Sequence, residues 1–146
     1  MTTLFSLVGI VRVKFDSLIF PAANRQKNPK IISQLKDVFE EGAYGCDREH
    51  ENNIIPACIT RANLASIFYE SNLTQQEIQS SLVNKTIRPT ISAGNLKFYC
   101  FWGLQRIEAA KQILREEEQW WTIRLYTWDG TYSSLLHVHI LKNIRW

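Results

Sequence analysis

Five consecutive residues, Trp102-Gly103-Leu104-Gln105-Arg106, combine groups that hold anions in proteins. An aromatic run from Phe98 leads into the single glycine, and a helix-forming segment begins almost at once after it. The first backbone N–H groups of a helix have no intrahelical partner and point at whatever lies before them. Gly103 lets a ligand approach the backbone, and Gln105 and Arg106 add side-chain donors. The pattern predicts a strand-turn-helix corner that can hold a phosphate, although plain turn chemistry is the commoner reason for a glycine before a helix.

Two more arginines are candidates for the same site. Arg61 directly follows a short apolar segment, Ile54 to Thr60, which we interpret as a buried strand, and Arg25 lies in an N-terminal loop. A guanidinium is suited to phosphate because its planar donors match two oxygens at once. We therefore expect Arg61 to assist Arg106, with Arg25 as a second candidate.

The aromatic side chains at residues 98–102 and 120–128 have two interpretations. They can stack nucleobases on a sheet, or they can fill the core. Because alternate residues of a strand face opposite sides, we expect most of them to be core. Trp102 and Trp128 stand at strand ends, and these two are expected to be partly exposed.

The segment from Cys46 to His50 (CDREH) carries thiol, carboxylate and imidazole groups, as metal sites do. Zinc sites normally need four ligands with paired spacing, and only His137 and His139 remain to complete one. A polar loop with an incidental cysteine is the favoured interpretation.

Glu108 also has two interpretations. It can position a metal or water near phosphates, or it can be a surface acid of the helix. No motif of serine, histidine and acid indicates a hydrolase.

The chain has 146 residues, which predicts one domain (residues 1–146) with a core over about 10–128 and a C-terminal extension of uncertain structure at 129–146.

Its three cysteines lack CxxC spacing, which favours reduced thiols in the cytoplasm or nucleus. A secreted effector that has lost its signal peptide is the alternative. Cys100, in the middle of an aromatic strand, is expected to be an inert core thiol. The apolar N terminus is too short to span a bilayer and is interpreted as a first strand, with no membrane partner.

The net charge of +3 is too small for strong nonspecific attraction to nucleic acid, but the charge is unevenly distributed. Residues 1–30 carry five basic groups against one acid, whereas residues 31–60 carry two basic groups against six acids. A solvated mixed surface is the simpler explanation. A basic face that binds DNA in a salt-sensitive way is the alternative.

Periodicity and capping residues predict a mixed α/β domain. The expected strands are residues 8–15, Ile54 to Thr60, the strand before Gly103, and Trp120 to Trp128. The expected helices run from Pro29 to about Glu41, capped by Asn28, and from Leu64 to Tyr69. A further helix is opened by the capping box Thr74 to Glu77 and runs to about Val83, and the last follows Gly103. Ile31, Ile32, Leu35, Val38 and Phe39 are expected to form the apolar stripe of the first helix, and Gly42 to end it. Asp129-Gly130 is expected to be a turn, and the tail after it fits strand or helix.

The strings YCFWGLQRIEAAKQIL and QWWTIRLYT resemble an uncharacterised fungal family. The segments Leu35 to Phe39, Gly45 to Arg48 and Asn53 to Ala57 match the same family upstream, so the similarity covers about residues 10–128. Members are usually longer and occur among the cargo genes of large fungal mobile elements. The resemblance implies an N-terminal domain that stands alone or is truncated.

More distantly, the pattern strand-Gly-x-x-Arg-x-x-Ala-Ala resembles the nucleotide-binding corner of the ParB and sulfiredoxin superfamily. The resemblance implies a ParB-like fold, with Gly103 as the turn glycine, Arg106 as the phosphate arginine, and Ala109 and Ala110 as the small residues that pack the helix on the sheet. CTP or ATP with Mg²⁺ is the implied ligand.

Two positions depart from the superfamily pattern. Leu104 stands where sulfiredoxin has its reactive cysteine and where ParB has an acidic residue, so sulfiredoxin chemistry is excluded there and nucleotide hydrolysis is expected to be slow or absent. Gln105 replaces a histidine. We therefore expect nucleotide or nucleic-acid phosphate binding without efficient catalysis. The alternative is an effector or interaction protein, acting on a host protein, that keeps the fold and has lost the chemistry.

Overall fold

The fold is a five-stranded mixed sheet with helices packed on it. The structure is a computed structural model, and it describes residues 5–20, 26–41, 46–86, 88–92 and 94–128. The strands are β1 (Phe5–Lys14), β2 (Leu18–Ile19), β3 (Ile55–Thr60), β4 (Phe98–Cys100) and β5 (Trp120–Trp128). The α-helices are α1 (Pro29–Glu40), α2 (Arg61–Ser71), α3 (Gln75–Ser80) and α4 (Leu104–Lys111), with 3-10 turns at Phe15–Ser17, Glu51–Asn53 and Glu116–Glu118. The predicted mixed α/β class is confirmed.

The strands lie in the order β1-β5-β3-β4-β2. β5 is antiparallel to β1 and parallel to β3, whereas β4 is antiparallel to β3 and parallel to β2. Because β4 runs against β3, the turn that follows β4 lies at the end of the sheet where β3 begins. The backbone N–H of Phe101 accordingly donates to the carbonyl of Pro56 at 3.1 Å.

Two predicted helix starts are confirmed in atomic detail. The Asn28 side chain accepts hydrogen bonds from the backbone of Lys30 at 3.1 Å and Ile31 at 3.2 Å, with proline at the first helical position of α1. Thr74 and Glu77 form both hydrogen bonds of a capping box ahead of α3. Each cap satisfies backbone donors that the helix itself cannot.

The main core lies between one face of the sheet and the four helices, with α3 contributing the fully buried Ile78. The strands contribute the fully buried Val11, Val13, Ile55, Trp121, Ile123 and Leu125, and the helices contribute Ile32, Phe39, Ile67, Ile107, Ala109 and Ala110. On β5 these core residues occupy the alternate positions 121, 123 and 125, as expected for residues on one face of a strand. The thiol of Cys100 is fully buried here, as expected, and burial raises its pKa well above the ordinary range.

The prediction that Trp128 is partly exposed is wrong, because only 4% of its surface is accessible. Its ring lies 4.7 Å from that of Phe5, which in turn contacts Phe101 edge-on at 5.5 Å. β1 begins at Phe5 rather than near residue 8, and this longer strand supplies the ring. Trp128 thus belongs to a second small apolar cluster on the other face of the sheet.

The apolar stripe predicted for α1 is only partly buried. Ile32 and Phe39 pack into the core, but Ile31 and Val38 remain 41% and 48% exposed. Ile31, Leu35 and Val38 share one side of the helix, since they are four and three residues apart. The helix therefore packs through Ile32 and Phe39, with Leu35 partly buried against the core, and leaves Ile31 and Val38 exposed.

Several predictions concern residues outside those that the structure describes: Arg25, Gly42, the Asp129-Gly130 turn, His137, His139 and the tail. Within the described ranges, no helix has the length and apolar character needed to cross a membrane.

Candidate functional site

The predicted corner is present, and its geometry depends on Gly103. β4 ends at Cys100, and Gly103 adopts φ 107° and ψ 4° immediately before α4 begins at Leu104. A β-carbon built on Gly103 would lie 2.6 Å from Cδ1 and 2.8 Å from Cγ1 of the buried Ile55. Both the conformation and the space therefore require glycine.

The N-terminus of α4 has no side-chain cap, since its N-cap residue is Gly103 and no capping hydrogen bond occurs among the described residues. In α1, α2 and α3, by contrast, Asn28, Thr60 and Thr74 accept such bonds. The first N–H groups of α4 thus remain available to an oxygen acceptor, and the helix dipole favours a negatively charged one.

Arg106 supplies a second kind of donor at this point. Its side chain is partly buried, and Nη1 is fully shielded with no hydrogen-bond acceptor among the residues described. Its guanidinium carbon lies 5.7 Å from the centre of the Trp102 ring. Burial lowers the pKa of Arg106 from its ordinary value, but a guanidinium still carries its charge at neutral pH. The result is a desolvated cation that lacks a counter-charge in the described structure.

An open cavity of about 330 Å³ covers the corner. It is lined by Leu35 of α1, Phe101, Trp102, Gly103, Leu104, Gln105 and Arg106. Trp102 is 37% exposed, as predicted. A cavity of this size falls at the lower end of small-ligand sites, and the open tryptophan face offers a surface for a flat ring.

Gln105 lines the cavity, but its amide hydrogen-bonds elsewhere. Its Oε1 accepts from the backbone N–H of Asn28 at 2.9 Å, and its Nε2 donates to the carbonyl of Gln26 at 2.7 Å. The side chain therefore anchors the segment that leads into α1. Gln105 lines the predicted corner, and in this structure its amide group is hydrogen-bonded to the backbone of Gln26 and Asn28.

Replacing Gln105 with alanine should loosen the segment that leads into α1 without unfolding the domain. We expect the free energy of unfolding to fall by about 1 kcal/mol, because the two hydrogen bonds are partly solvent-exposed. Hydrogen exchange at the Asn28 amide should accelerate, because that N–H loses its acceptor. Gln112→Ala, at an exposed glutamine after α4, is the control. Equal exchange rates at Asn28 in both variants would contradict the anchoring role.

Arg61 does not join the corner, contrary to expectation. It is the first residue of α2 and follows the C-terminal end of β3, whereas Gly103 contacts Ile55 at the other end of that strand. Six residues of strand separate the two ends by roughly 20 Å. Arg61 instead borders a different cavity of about 370 Å³, together with parts of β1, α2 and α3.

Lys27 is a cation near the corner that the sequence did not indicate. Its Nζ lies 3.5 Å from Oε2 of Glu108, and Lys27 and Gln105 border the same shallow cleft beside α1. Glu108 is also 3.4 Å from Lys111, so its carboxylate is paired within the protein. No local pattern links residues 27 and 108; packing of α1 on α4 brings them together.

The Cys46–His50 segment is organised by hydrogen bonds within the protein. Asp47 Oδ1 accepts from the backbone of Glu49 and His50, both at 3.1 Å, and His50 Nδ1 accepts from the backbone of Asn52. Glu49 forms an ion pair with Arg12. No cluster of three potential metal ligands occurs in the described ranges, and the favoured interpretation as a polar loop agrees with these contacts.

These features define a mixed α/β domain with a glycine-dependent strand-helix corner, a helix start without a side-chain cap and, beside it, an arginine that lacks a counter-charge among the described residues. Residues 6–143 match the family model described as the N-terminal domain of a protein of unknown function, DUF3723. The chain belongs to this family. No curated protein and no solved structure matches it.

Proposed function

We propose that the corner from Trp102 to Arg106 binds the phosphate groups of a nucleotide or of nucleic acid, as a ParB-like domain without efficient catalysis. The observation that supports the proposal most strongly is the state of Arg106. A partly buried guanidinium whose Nη1 lacks an acceptor in the described structure is costly unless a ligand supplies one. An anion placed before α4 supplies a hydrogen-bond acceptor to Arg106 and, at the same time, to the uncapped N–H groups at the start of the helix.

The parts of the corner have different roles in this proposal. The N–H groups at the start of α4 and the Arg106 guanidinium hold phosphate oxygens, while Gly103 keeps the backbone close enough to reach them. Trp102 stacks on the base or covers the sugar. Leu104 offers neither a nucleophile nor a carboxylate, and no carboxylate is among the described residues that line the cavity. A Mg²⁺ ion would accordingly be held through the nucleotide's own phosphates.

Titration calorimetry with CTP, ATP, ADP and GTP, each with and without Mg²⁺, tests the proposal. We expect at least one nucleotide to bind, and we expect Arg106→Ala to weaken its binding by about 30-fold, the equivalent of losing about 2 kcal/mol of charge-assisted hydrogen bonding. Arg115→Ala removes an arginine that is 73% exposed just beyond α4 and should leave the affinity unchanged. Failure of the wild-type protein to bind any of the four removes the nucleotide form of the proposal.

The second candidate is an effector-type interaction protein that has kept the fold without the chemistry. The exposed Ile31 and Val38 favour it, because the partly buried Leu35 between them lines the same cavity as the exposed Trp102 and so joins them into one apolar surface. Under this candidate Trp102→Ala abolishes the biological phenotype and Arg106→Ala leaves it intact. The opposite result favours phosphate binding.

A further inference from the structure

A second cationic cavity, smaller than that at the corner, lies beside β1 and β5. Its volume is about 80 Å³, and its charged lining consists of Lys85, Arg88 and Arg124 together with Glu49 and Glu51. Arg88 belongs to no motif that the sequence indicates, and Arg124 lies within the Trp120–Trp128 strand without a predicted site role.

Arg88 is the central residue of this cavity. Only 9% of its surface is accessible, and its Nε and Nη1 are both shielded with no hydrogen-bond acceptor among the described residues. A guanidinium cannot lose its proton to escape burial. Its donors therefore require an acceptor from outside the described protein atoms.

The backbone around Arg88 is held firmly against the sheet. The N–H of Arg12 donates to the carbonyl of Pro89 at 2.9 Å, and the N–H of Ile91 donates to the carbonyl of Arg12 at 2.9 Å. Residues 88–92 thus lie alongside the outer edge of β1. Because the strand fixes this segment, Arg88 has its position before any ligand arrives.

The charge of the cavity favours an anion. Three cationic side chains line it against two carboxylates, and one of these, Glu49, is already paired with Arg12. The pairing leaves Glu51 as the carboxylate that an incoming anion would face. The three positive charges of Arg88, Arg124 and Lys85 outnumber the negative charge of Glu51.

This cavity and the Trp102–Arg106 corner are separate places, since no described residue lines both. Ile54 lines the cavity, whereas the next residue, Ile55, contacts Gly103 at the corner. Ile10, which pairs with Arg124 across β1 and β5, also lines the cavity, and its neighbour Val11 points into the main core. One ligand cannot occupy both places.

We propose that the Arg88 cavity binds a single phosphate-sized oxyanion, with Arg88 as its principal ligand and Arg124 and Lys85 in support. A volume of 80 Å³ equals that of about two to three water molecules in the liquid, which suits one tetrahedral oxyanion and is far below the size of a nucleotide site. This site is independent of the function proposed for the corner.

Thermal unfolding in inorganic phosphate tests this second site, with sodium chloride at the same ionic strength as the reference and sodium sulfate as a second tetrahedral anion. At a phosphate concentration tenfold above its dissociation constant, the midpoint of wild-type unfolding should rise by about 5 °C over the chloride reference. Arg88→Met keeps the apolar stem and removes the donors, so the rise should disappear. Arg106→Ala should retain the full rise, which separates this site from the corner.

Three outcomes would overturn the inference: no rise in the wild-type protein, a rise of wild-type size in Arg88→Met, or a rise that is lost in Arg106→Ala and kept in Arg88→Met. If Arg88→Met does not fold, Arg124→Gln decides, because Arg124 is only partly buried. A rise reduced by half or more in Arg124→Gln supports the site, and an unchanged rise overturns it.

Discussion

Replacing Gly103 with alanine should lower the free energy of unfolding by about 3 kcal/mol. Part of this loss is the strain of a non-glycine residue at φ 107°, and part is the overlap of the new β-carbon with Ile55 at 2.6–2.8 Å. Ile55 is fully buried, so its side chain cannot move away at low cost. Urea denaturation, followed by tryptophan fluorescence, measures the change.

Gly94→Ala is the matched control for Gly103→Ala. Gly94 also has a positive φ, 58°, but its added β-carbon would meet only the end of the Glu70 side chain at 3.2 Å. We expect this substitution to cost about 1 kcal/mol, from backbone strain alone. If both alanine variants were equally stable, close packing of the corner on Ile55 would not be the reason for glycine at 103.

Replacing Trp121 with alanine should have the largest effect on stability, a loss of about 4 kcal/mol. Trp121 is completely buried, its ring lies 6.3 Å from that of Phe15 and 6.1 Å from that of Phe39, and its Nε1 donates to the carbonyl of Asn53 at 2.9 Å. One side chain therefore joins the 3-10 turn after β1, helix α1 and the 3-10 turn before β3. Chemical denaturation monitored by circular dichroism gives the value.

Trp121→Phe separates the two contributions of the indole. It retains an aromatic ring among Phe15 and Phe39 but leaves the Asn53 carbonyl without its donor, which should cost about 2 kcal/mol. A loss as large as that of Trp121→Ala would mean that the hydrogen bond, and not the ring, dominates.

Much of the fold could be predicted because its signals are local. The Asn28 cap, the Thr74–Glu77 capping box and the alternation along Trp120–Trp128 each depend on residues only a few positions apart. The corner could be predicted for the same reason, since strand, glycine and helix follow one another directly. α2 is longer than expected, because Thr60 caps it by accepting from the backbone of Asn63 and so starts the helix at Arg61.

The parts that could not be predicted depend on strand order. The position of Arg61 directly after a strand predicts that it joins the corner, but β3 and β4 are antiparallel, so the residues after them lie at opposite ends of the sheet. Trp128 is buried because β1 pairs with β5 along its whole length and brings Phe5 to it. β2 has only two residues and no periodicity to detect.

The side chains of the candidate sites also differ in whether a local sequence pattern reveals them. Arg106 could be identified from its place after Gly103, whereas Gln105 could not be recognised as an anchor because Gln26 and Asn28 lie 79 and 77 residues away in sequence. Arg88 gave no signal at all, because only its burial beside β1 and Arg124 distinguishes it from an ordinary surface arginine.

The most direct test of phosphate binding at the corner is a nuclear magnetic resonance titration of ¹⁵N-labelled protein with the tightest-binding nucleotide. We expect the largest saturable shifts at the backbone amides of Gly103 to Arg106, at the Trp102 indole N–H and at the Arg106 Nε–H, with amides near Arg61 unchanged. Shifts that saturate around Arg61 while those of Gly103 to Arg106 stay fixed would contradict phosphate binding at this corner.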